Sequence, residues 1–437
     1  MKKYSSYKSS GEDYIGNIPN NWECIRLGML GVFSSSGIDK KTNDNETSVR
    51  MVNYTDIIQS RKYNPIQTGE KEYMVVSTPI SKLNEHRLIK GDMVFIPSSE
   101  TKEDLGYSSL IDFDENDIVY SYHILRYRTH KNIHHYFKKY LINHHSVLNQ
   151  FSRESKGTTR QIIGRNVFNN VRVVLPPLQE QEQIVNYLDD KTNIIDKLIS
   201  TKQRKVELLK EQRTSFINQV ITKGLNPNVK IKDSGVEWIG EIPESWEIVP
   251  LFTISKHTKE KNKDNEKVVL SLSYGNIKIR NIESNFGLLP ESFNDYQRIR
   301  PGYIVLRLTD LQNDKKSLRV GLSKLDGIIT PVYVSLKTNH KILDEFLFYH
   351  LYNSDLKKIL YTLGGGLRQT LRFDELKKFP VPFTTLEEQK EIVEYINKYI
   401  NEIDGLVSTE QKKIELLKEY RQSLISEVIT GKIKVVE

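Results

Sequence analysis

Two groupings in this chain have residue types and spacing that could do chemistry. Asp92 with Glu100-Thr101-Lys102 brings two carboxylates and a lysine into a short stretch, and on two adjacent strands such a set could hold magnesium and activate water. The second half of the chain has Tyr303 where Asp92 stands and Leu311 where Glu100 stands. The pattern is also short and common, so exposed strand and loop residues are the better account, and an autonomous magnesium-dependent nuclease is kept as an alternative. The histidine pairs His134-His135 and His144-His145 could ligate zinc, but pairs ten apart fall on different helix faces and no other ligand type recurs nearby. A structural or phosphate-binding role is the stronger reading, and no metal is expected.

Other reaction chemistry has no support. The G-x-x-x-x-G-K-[ST] phosphate loop is absent, and Gly364-Gly365-Gly366 lacks the spacing of a dinucleotide-binding turn. The Asn/Asp-Pro-Pro-aromatic motif that amino-methyltransferases use to hold a target base is missing too, because Leu175 precedes Pro176-Pro177. No catalytic residue and no bound cofactor are therefore assigned. Cys24 is the sole cysteine, which excludes an internal disulfide and a cysteine-built zinc site. The N-terminal Met1-Lys2-Lys3 is followed by no apolar run, and no window is apolar enough to span a membrane. A reducing cytoplasm is the expected location.

The elements that must position any site are organised by a duplication. Tyr14-Ile15-Gly16-Asn17-Ile18-Pro19-Asn20-Asn21-Trp22-Glu23 returns as Trp238-Ile239-Gly240-Glu241-Ile242-Pro243-Glu244-Ser245-Trp246-Glu247, a shift of 224. Leu178 to Thr222 returns as Leu386 to Thr430, a shift of 208, with 25 of 45 positions identical. Both constant segments read as long helices. The first carries Ile184, Leu188, Ile195, Leu198, Leu209, Phe216 and Val220 at helical spacing, and the second carries Ile392, Ile396, Ile403, Leu406, Leu417, Leu424 and Val428 in matching places. A helix of about 67 Å cannot bury such a stripe in a small globule, so the copies are expected to pair as a coiled coil. The variable regions read as mixed α/β, with strands at 92–97 and 303–307 and helices at 136–151 and 343–361.

The fold expected is thus α+β: two tandem mixed α/β domains and two long antiparallel helices forming a coiled-coil spacer, with an internal pseudo-two-fold repeat. The expected boundaries are 1–177 for the first variable domain, 178–224 for the first helix, 225–385 for the second domain, 386–432 for the second helix and 433–437 for a tail.

Of the 437 residues, 64 are Lys or Arg and 56 are Asp or Glu, a net charge of +8. From Tyr120 to Arg172 there are ten Lys/Arg, one acid and six of the ten histidines. A basic stretch on one of two separated globular domains suits a protein that grips duplex DNA at two places. Candidate DNA-binding residues are Arg153, Lys156, Thr158, Thr159, Arg160, Gln161 and Arg165 in the first half, and Arg298, Arg307, Arg368, Gln369, Thr370 and Arg372 in the second. Arg300 and Arg319 are further cations there. Arginine and glutamine forks can read base edges in the major groove.

These phrases, with Leu175-Pro176-Pro177-Leu178-Gln179-Glu180-Gln181-Glu182-Gln183-Ile184 and Glu419-Tyr420-Arg421-Gln422-Ser423-Leu424-Ile425-Ser426-Glu427-Val428-Ile429-Thr430-Gly431-Lys432, resemble the specificity subunit of type I restriction-modification enzymes over essentially the whole chain. The resemblance implies two target-recognition domains that read the halves of a split DNA site. It also implies a non-catalytic role: adenine methylation with S-adenosylmethionine would belong to modification subunits, two in number, docked on the helices. ATP-driven, magnesium-dependent cleavage would belong to a restriction subunit. A coiled-coil scaffold without DNA binding is the remaining alternative. Thr384-Thr385 stands where the first copy has Pro176-Pro177, so the two helices are expected to start differently.

Overall fold

The computed structural model describes residues 2–60, 64–281, 292–311, 318–363 and 370–435. The chain divides into two compact units, residues 1–203 with 412–437, and residues 204–411. The first long helix spans Leu178–Lys223 and the second Leu386–Ile429, so each unit takes a share of both. No helix among the described residues is long and apolar enough to cross a membrane.

In the first unit, strands Gly31–Ser34, Leu125–Thr129, Met93–Phe95, Ser108–Ile111 and Ile66–Gln67 lie side by side in that order. The first four pair antiparallel and the last is parallel to its neighbour. A second sheet orders Ile118–Tyr120, Thr47–Val52 and Met74–Thr78. The second unit repeats the four-stranded antiparallel sheet as Ser255–Thr258, Val334–Thr338, Ile304–Leu306 and Val320–Leu322. Val305 and Val94 have no exposed area, which explains why both central strands are uninterrupted apolar runs. Gly91 at φ +92° and Gly302 at φ +88° turn the chain just before them, a backbone region open to glycine.

The flanking elements superpose in register as well. Tyr7–Ser9 pairs with Asn17–Pro19, and Ile231–Asp233 pairs with Glu241–Pro243, so the shift of 224 persists down to hydrogen-bonded partners. Glu23–Arg26 pairs with Arg172–Leu175 at the foot of the first helix, as Glu247–Pro250 does with Pro380–Phe383 at the foot of the second.

Each helix start is locked by the same device. Trp22 Nε1 donates to Glu180 at 3.0 Å and Trp246 Nε1 donates to Glu388 at 3.0 Å, and both indoles are fully buried. Gln181 Nε2 donates to the Pro176 carbonyl, and Gln389 Nε2 to the Thr384 carbonyl, at 2.8 Å each. The expected difference between the Pro-Pro and Thr-Thr starts is therefore small, because the contact runs through a backbone oxygen that both residue types possess. Tyr4 Oη and Asn21 Nδ2 also donate to Glu180. Replacing Glu180 by alanine strands a buried indole N–H, and we expect a loss of about 1–2 kcal/mol, read as a lower urea midpoint. Glu180→Gln should recover part of it.

Helix pairing within each unit is antiparallel where it can be followed. In the second unit Lys205 reaches Glu410 at 3.0 Å and Arg213 reaches Asp404 at 3.4 Å, while Phe216 stacks on Tyr399 with centroids 3.6 Å apart. In the first unit Arg421 grips Asp196 through Nε at 2.9 Å and Nη2 at 3.1 Å. Asp196 and Asp404 are related by the shift of 208, as are Arg213 and Arg421, so each helix supplies the acid of one pair and the base of the other. The apolar stripe follows the expected pattern at Ile184, Leu188, Ile195, Leu209, Val220, Ile392, Ile396, Ile403, Leu424 and Val428, all buried, with Phe216 and Leu417 partly so. Leu198 and Leu406 are the exceptions, 46% and 48% exposed. The seam rotates past them, and Val206 and Ile414 are buried instead, as expected when a 3.6-residue helix meets a pattern that is not a strict heptad.

Candidate nucleic-acid interface

The basic stretch does not become one basic surface. Five of its ten cations are consumed inside the first unit. Arg128 clasps Asp92 with two bonds of 2.7 Å, Arg126 donates to the carbonyls of Glu85 and Arg87, Lys138 donates to the Gly91 carbonyl, Lys139 pairs with Asp189 at 2.8 Å, and Arg172 pairs with Glu12. Lys131, Arg153, Lys156, Arg160 and Arg165 remain exposed.

That clasp corrects the reading of Asp92 as exposed and also argues against its use as a metal ligand. Asp92 is 1% exposed, and its second oxygen additionally accepts the Ile89 N–H at 3.0 Å. Among the described residues no group of three His, Cys, Asp or Glu side chains could hold a metal. His144 is buried with its imidazole pushed down to about 4 by desolvation. His135 donates toward Asp112, which also holds Lys90 and Tyr136. Burial would raise that carboxyl, but the hydrogen bonds from Lys90, Tyr136 and His135 together hold it low.

Four of the five exposed cations, all but Lys131, lie on or beside one loop. Gln161–Ile162 pairs with Ser98–Ser99, and Lys156 bridges Ile162, which closes residues 156–162 into a tight hairpin. Gly157 at φ +124° makes that closure, and a Cβ there would lie 2.0 Å from the Arg160 carbonyl oxygen. Lys156, Thr158, Thr159 and Arg160 are exposed on the hairpin, with Arg153 before it and Arg165 after it. Arg160 Nε donates to Ser98 Oγ at 3.3 Å and Arg165 Nη2 to Ser35 Oγ at 3.2 Å, so both guanidinium groups are steered while keeping free donors. Gln161 behaves otherwise. It is buried, its amide donates to the Gly157 carbonyl at 2.6 Å and its oxygen accepts from Ser155, so it shapes the loop and cannot reach a base edge.

In the second unit two of the sequence-selected arginines are structural. Arg298 is 8% exposed and held between Glu266 at 3.0 Å and Asp326 at 2.6 Å. Arg319 has no exposed area at all. Burial is affordable to them because each arginine finds acids or carbonyls matching its fork. Arg307 and Thr370 are half-buried, Arg372 is exposed at the start of a short helix, and Arg300 pairs with Glu260. Arg368 and Gln369 lie outside the described residues, as does the glycine run before them.

Sequence reasoning passed over several surface groups. Tyr122 is 46% exposed beside His123, with ring centroids 3.8 Å apart. Burial, with Arg160 and Lys40 nearby, depresses the His123 imidazole against a smaller opposing effect of Asp39, so the Arg160 loop and the 35–40 segment face this turn. Tyr274, 72% exposed, sits at φ +48° on a hairpin tip. A tyrosine in that conformation is uncommon, and nothing in its one-dimensional pattern marks it.

The family model for the type I restriction modification DNA specificity domain matches residues 19–208 and 332–416. The chain belongs to that family. Its role is DNA specificity in a type I restriction-modification system. The type I restriction enzyme MjaVIII specificity subunit of Methanocaldococcus jannaschii is 30% identical over 298 residues, covering 64% of this chain and 67% of that one. A second protein of that organism, named for the MjaX specificity subunit, is 26% identical over 437 residues, covering 96% of each. Among solved structures, one chain from a study of complex assembly and conformational transition in a type I system has a TM-score of 0.69 at 17% identity, covering 95% of this chain and 99% of that chain. The HsdS subunit from Thermoanaerobacter tengcongensis has a TM-score of 0.50 at 16% identity, covering 95% and 98%. These two likenesses are of fold alone.

Proposed function

We propose that this specificity subunit reads a bipartite, asymmetric duplex site, one half-site with each unit, and carries no catalysis itself. The carrying observation is that one four-stranded sheet occurs twice with the same strand order, while described loops beside it carry different side chains, Tyr122-His123 entering the second strand of the first sheet where Pro331-Val332 enters that of the second. Equal scaffolds with unequal loops are what reading two different sequences requires, since phosphate contacts fix register and base contacts specify. The expected domain boundaries, with the globular parts at 1–177 and 225–385, belong to the same proposal.

Modification subunits, two by this reading, dock on the helices and supply adenine methylation with S-adenosylmethionine. Restriction subunits supply ATP- and magnesium-dependent cleavage. The complex works in the cytoplasm. Asp92, committed to Arg128, weighs against the nuclease alternative.

In the assembled methyltransferase complex, Arg160→Ala should relax one half-site and leave the other unchanged, with discrimination lost there by about 1–3 kcal/mol. Lys156→Ala should weaken binding to all sequences alike and flatten the salt dependence. Footprinting of the complex reads both, and a single continuous protected tract would defeat the two-reader assignment.

A further inference from the structure

We infer that the turn at Tyr122-His123 in the first unit, and its counterpart at Pro331-Val332 in the second, are the elements that touch base edges. This rests on the DNA-specificity reading above and assigns it particular side chains.

The two turns are the same structural object. In the first unit Ile118–Tyr120 leads through Ser121, Tyr122, His123 and Ile124 into Leu125–Thr129, the strand beside Gly31–Ser34. In the second, Gly327–Ile329 leads through Thr330, Pro331, Val332 and Tyr333 into Val334–Thr338, the strand beside Ser255–Thr258. The backbone closes alike: Ile124 N donates to the Ser121 carbonyl at 3.1 Å, and Tyr333 N donates to the Thr330 carbonyl at 3.2 Å.

Both turns are anchored from below and bare above. Ser121 N donates to the Val52 carbonyl at 2.9 Å and Tyr122 N to the Ile38 carbonyl at 3.0 Å. In the second unit the buried Gln297 does this work, its amide reaching the Thr330 carbonyl at 3.2 Å and the Tyr333 carbonyl at 2.6 Å, with Ser335 Oγ donating to its oxygen at 2.7 Å. On such fixed backbones the tip side chains face solvent: Tyr122 is 46% exposed and Val332 57% exposed, with Pro331 also exposed. Holding apolar side chains out on a rigid turn gains nothing for folding in either unit. It is useful if a partner covers them, and preorganisation lowers the ordering cost of binding.

Chemistry names the partner as duplex DNA. Beside Tyr122-His123 the hairpin contributes Arg160, whose fork can join the rings at base edges, and exposed Lys40 on the neighbouring segment is able to take a phosphate. A neutral imidazole offers one donor and one acceptor to a base edge, and a valine or proline offers only apolar contact, as to a thymine methyl. The turns therefore carry different readout chemistry at one structural position.

The test uses the full chain assembled with its methyltransferase subunits, probed with duplexes carrying every single-base change in each half-site. Tyr122→Ala with His123→Ala should lose on the order of tenfold discrimination at one or two positions of one half-site. Pro331→Ala with Val332→Ala should do so in the other half-site only, with thermal midpoints unchanged in both variants. Tyr122→Phe, which keeps the ring, should retain discrimination. If wild-type complex protects a bipartite site and both double variants discriminate as wild type does, the turns are not readers and the inference falls alone. If wild-type complex protects no bipartite site, the DNA-specificity reading falls and takes the inference with it.

Discussion

Arg319→Ala is expected to destabilise the second unit by about 3–5 kcal/mol, the size seen when one partner of a buried charged network is removed. The guanidinium has no exposed area; Nη1 donates to the Thr309 carbonyl at 2.8 Å, Nη2 to the Asp310 carbonyl at 3.0 Å, and Nε to Tyr361 Oη at 3.3 Å. Its backbone N–H donates to Asp355, whose carboxyl is likewise fully buried. Burial pushes that carboxyl above its usual range, against the backbone N–H groups of Arg319 and Val320 and the charges of Lys358 and Arg319, which favour the ionised form. Removing the guanidinium takes a donor from the Thr309 and Asp310 carbonyls and a compensating charge from Asp355. It also removes one contact that holds Asp310 at φ +58°, a conformation that carries strain away from glycine. Hydrogen exchange over Val320–Leu322 is the readout, with much faster exchange expected in the variant. Arg319→Lys keeps the charge but not the fork, and should fall between. Normal protection combined with weakened DNA binding would return Arg319 to the role its sequence position suggested.

Acid should unfold this protein in a window led by two histidines, one in each unit, with smaller shares from His86, His123, His135 and His257, whose imidazoles burial also lowers. His144 and His350 are fully desolvated, which lowers their imidazoles from 6.5 to about 4 and about 3 respectively. Both stay neutral in the folded state, whereas in the unfolded chain they take a proton near 6.5. Folded stability is therefore complete above that value and falls as pH drops toward 4. The slope is about 1.4 kcal/mol per pH unit for each histidine. Thermal midpoints measured between pH 7.5 and 4.5 should decline, and His144→Leu with His350→Leu should make the decline shallower. Carboxylates held low by ion pairs, such as Asp112 and Asp117, act at still lower pH and do not blur the window. An unaltered slope in the double variant would show that other groups drive acid unfolding.

Sequence alone determined the architecture. Repeated segments at shifts of 224 and 208 gave the tandem mixed α/β domains and the paired helices, and the Trp-Glu locks that the structure adds occur twice because a repeat preserves both partners of a contact. The family resemblance was carried by those same constant segments, which build the helices and their feet. Helical periodicity placed the buried stripe but misplaced Leu198 and Leu406, since a linear pattern does not state where the seam of two helices drifts.

Tertiary structure alone decided which charges are surface. Arg126, Arg128, Lys138, Lys139, Arg298 and Arg319 look identical in sequence to Lys156, Arg160 and Arg165, yet the former turn toward acids and carbonyls brought from distant strands. Charge counting sums residues along the chain, whereas an ion pair is formed across it. For the same reason Gln161 left the set of base readers, and Tyr122-His123, unremarkable in sequence, became an exposed tyrosine and a half-buried histidine on an anchored turn.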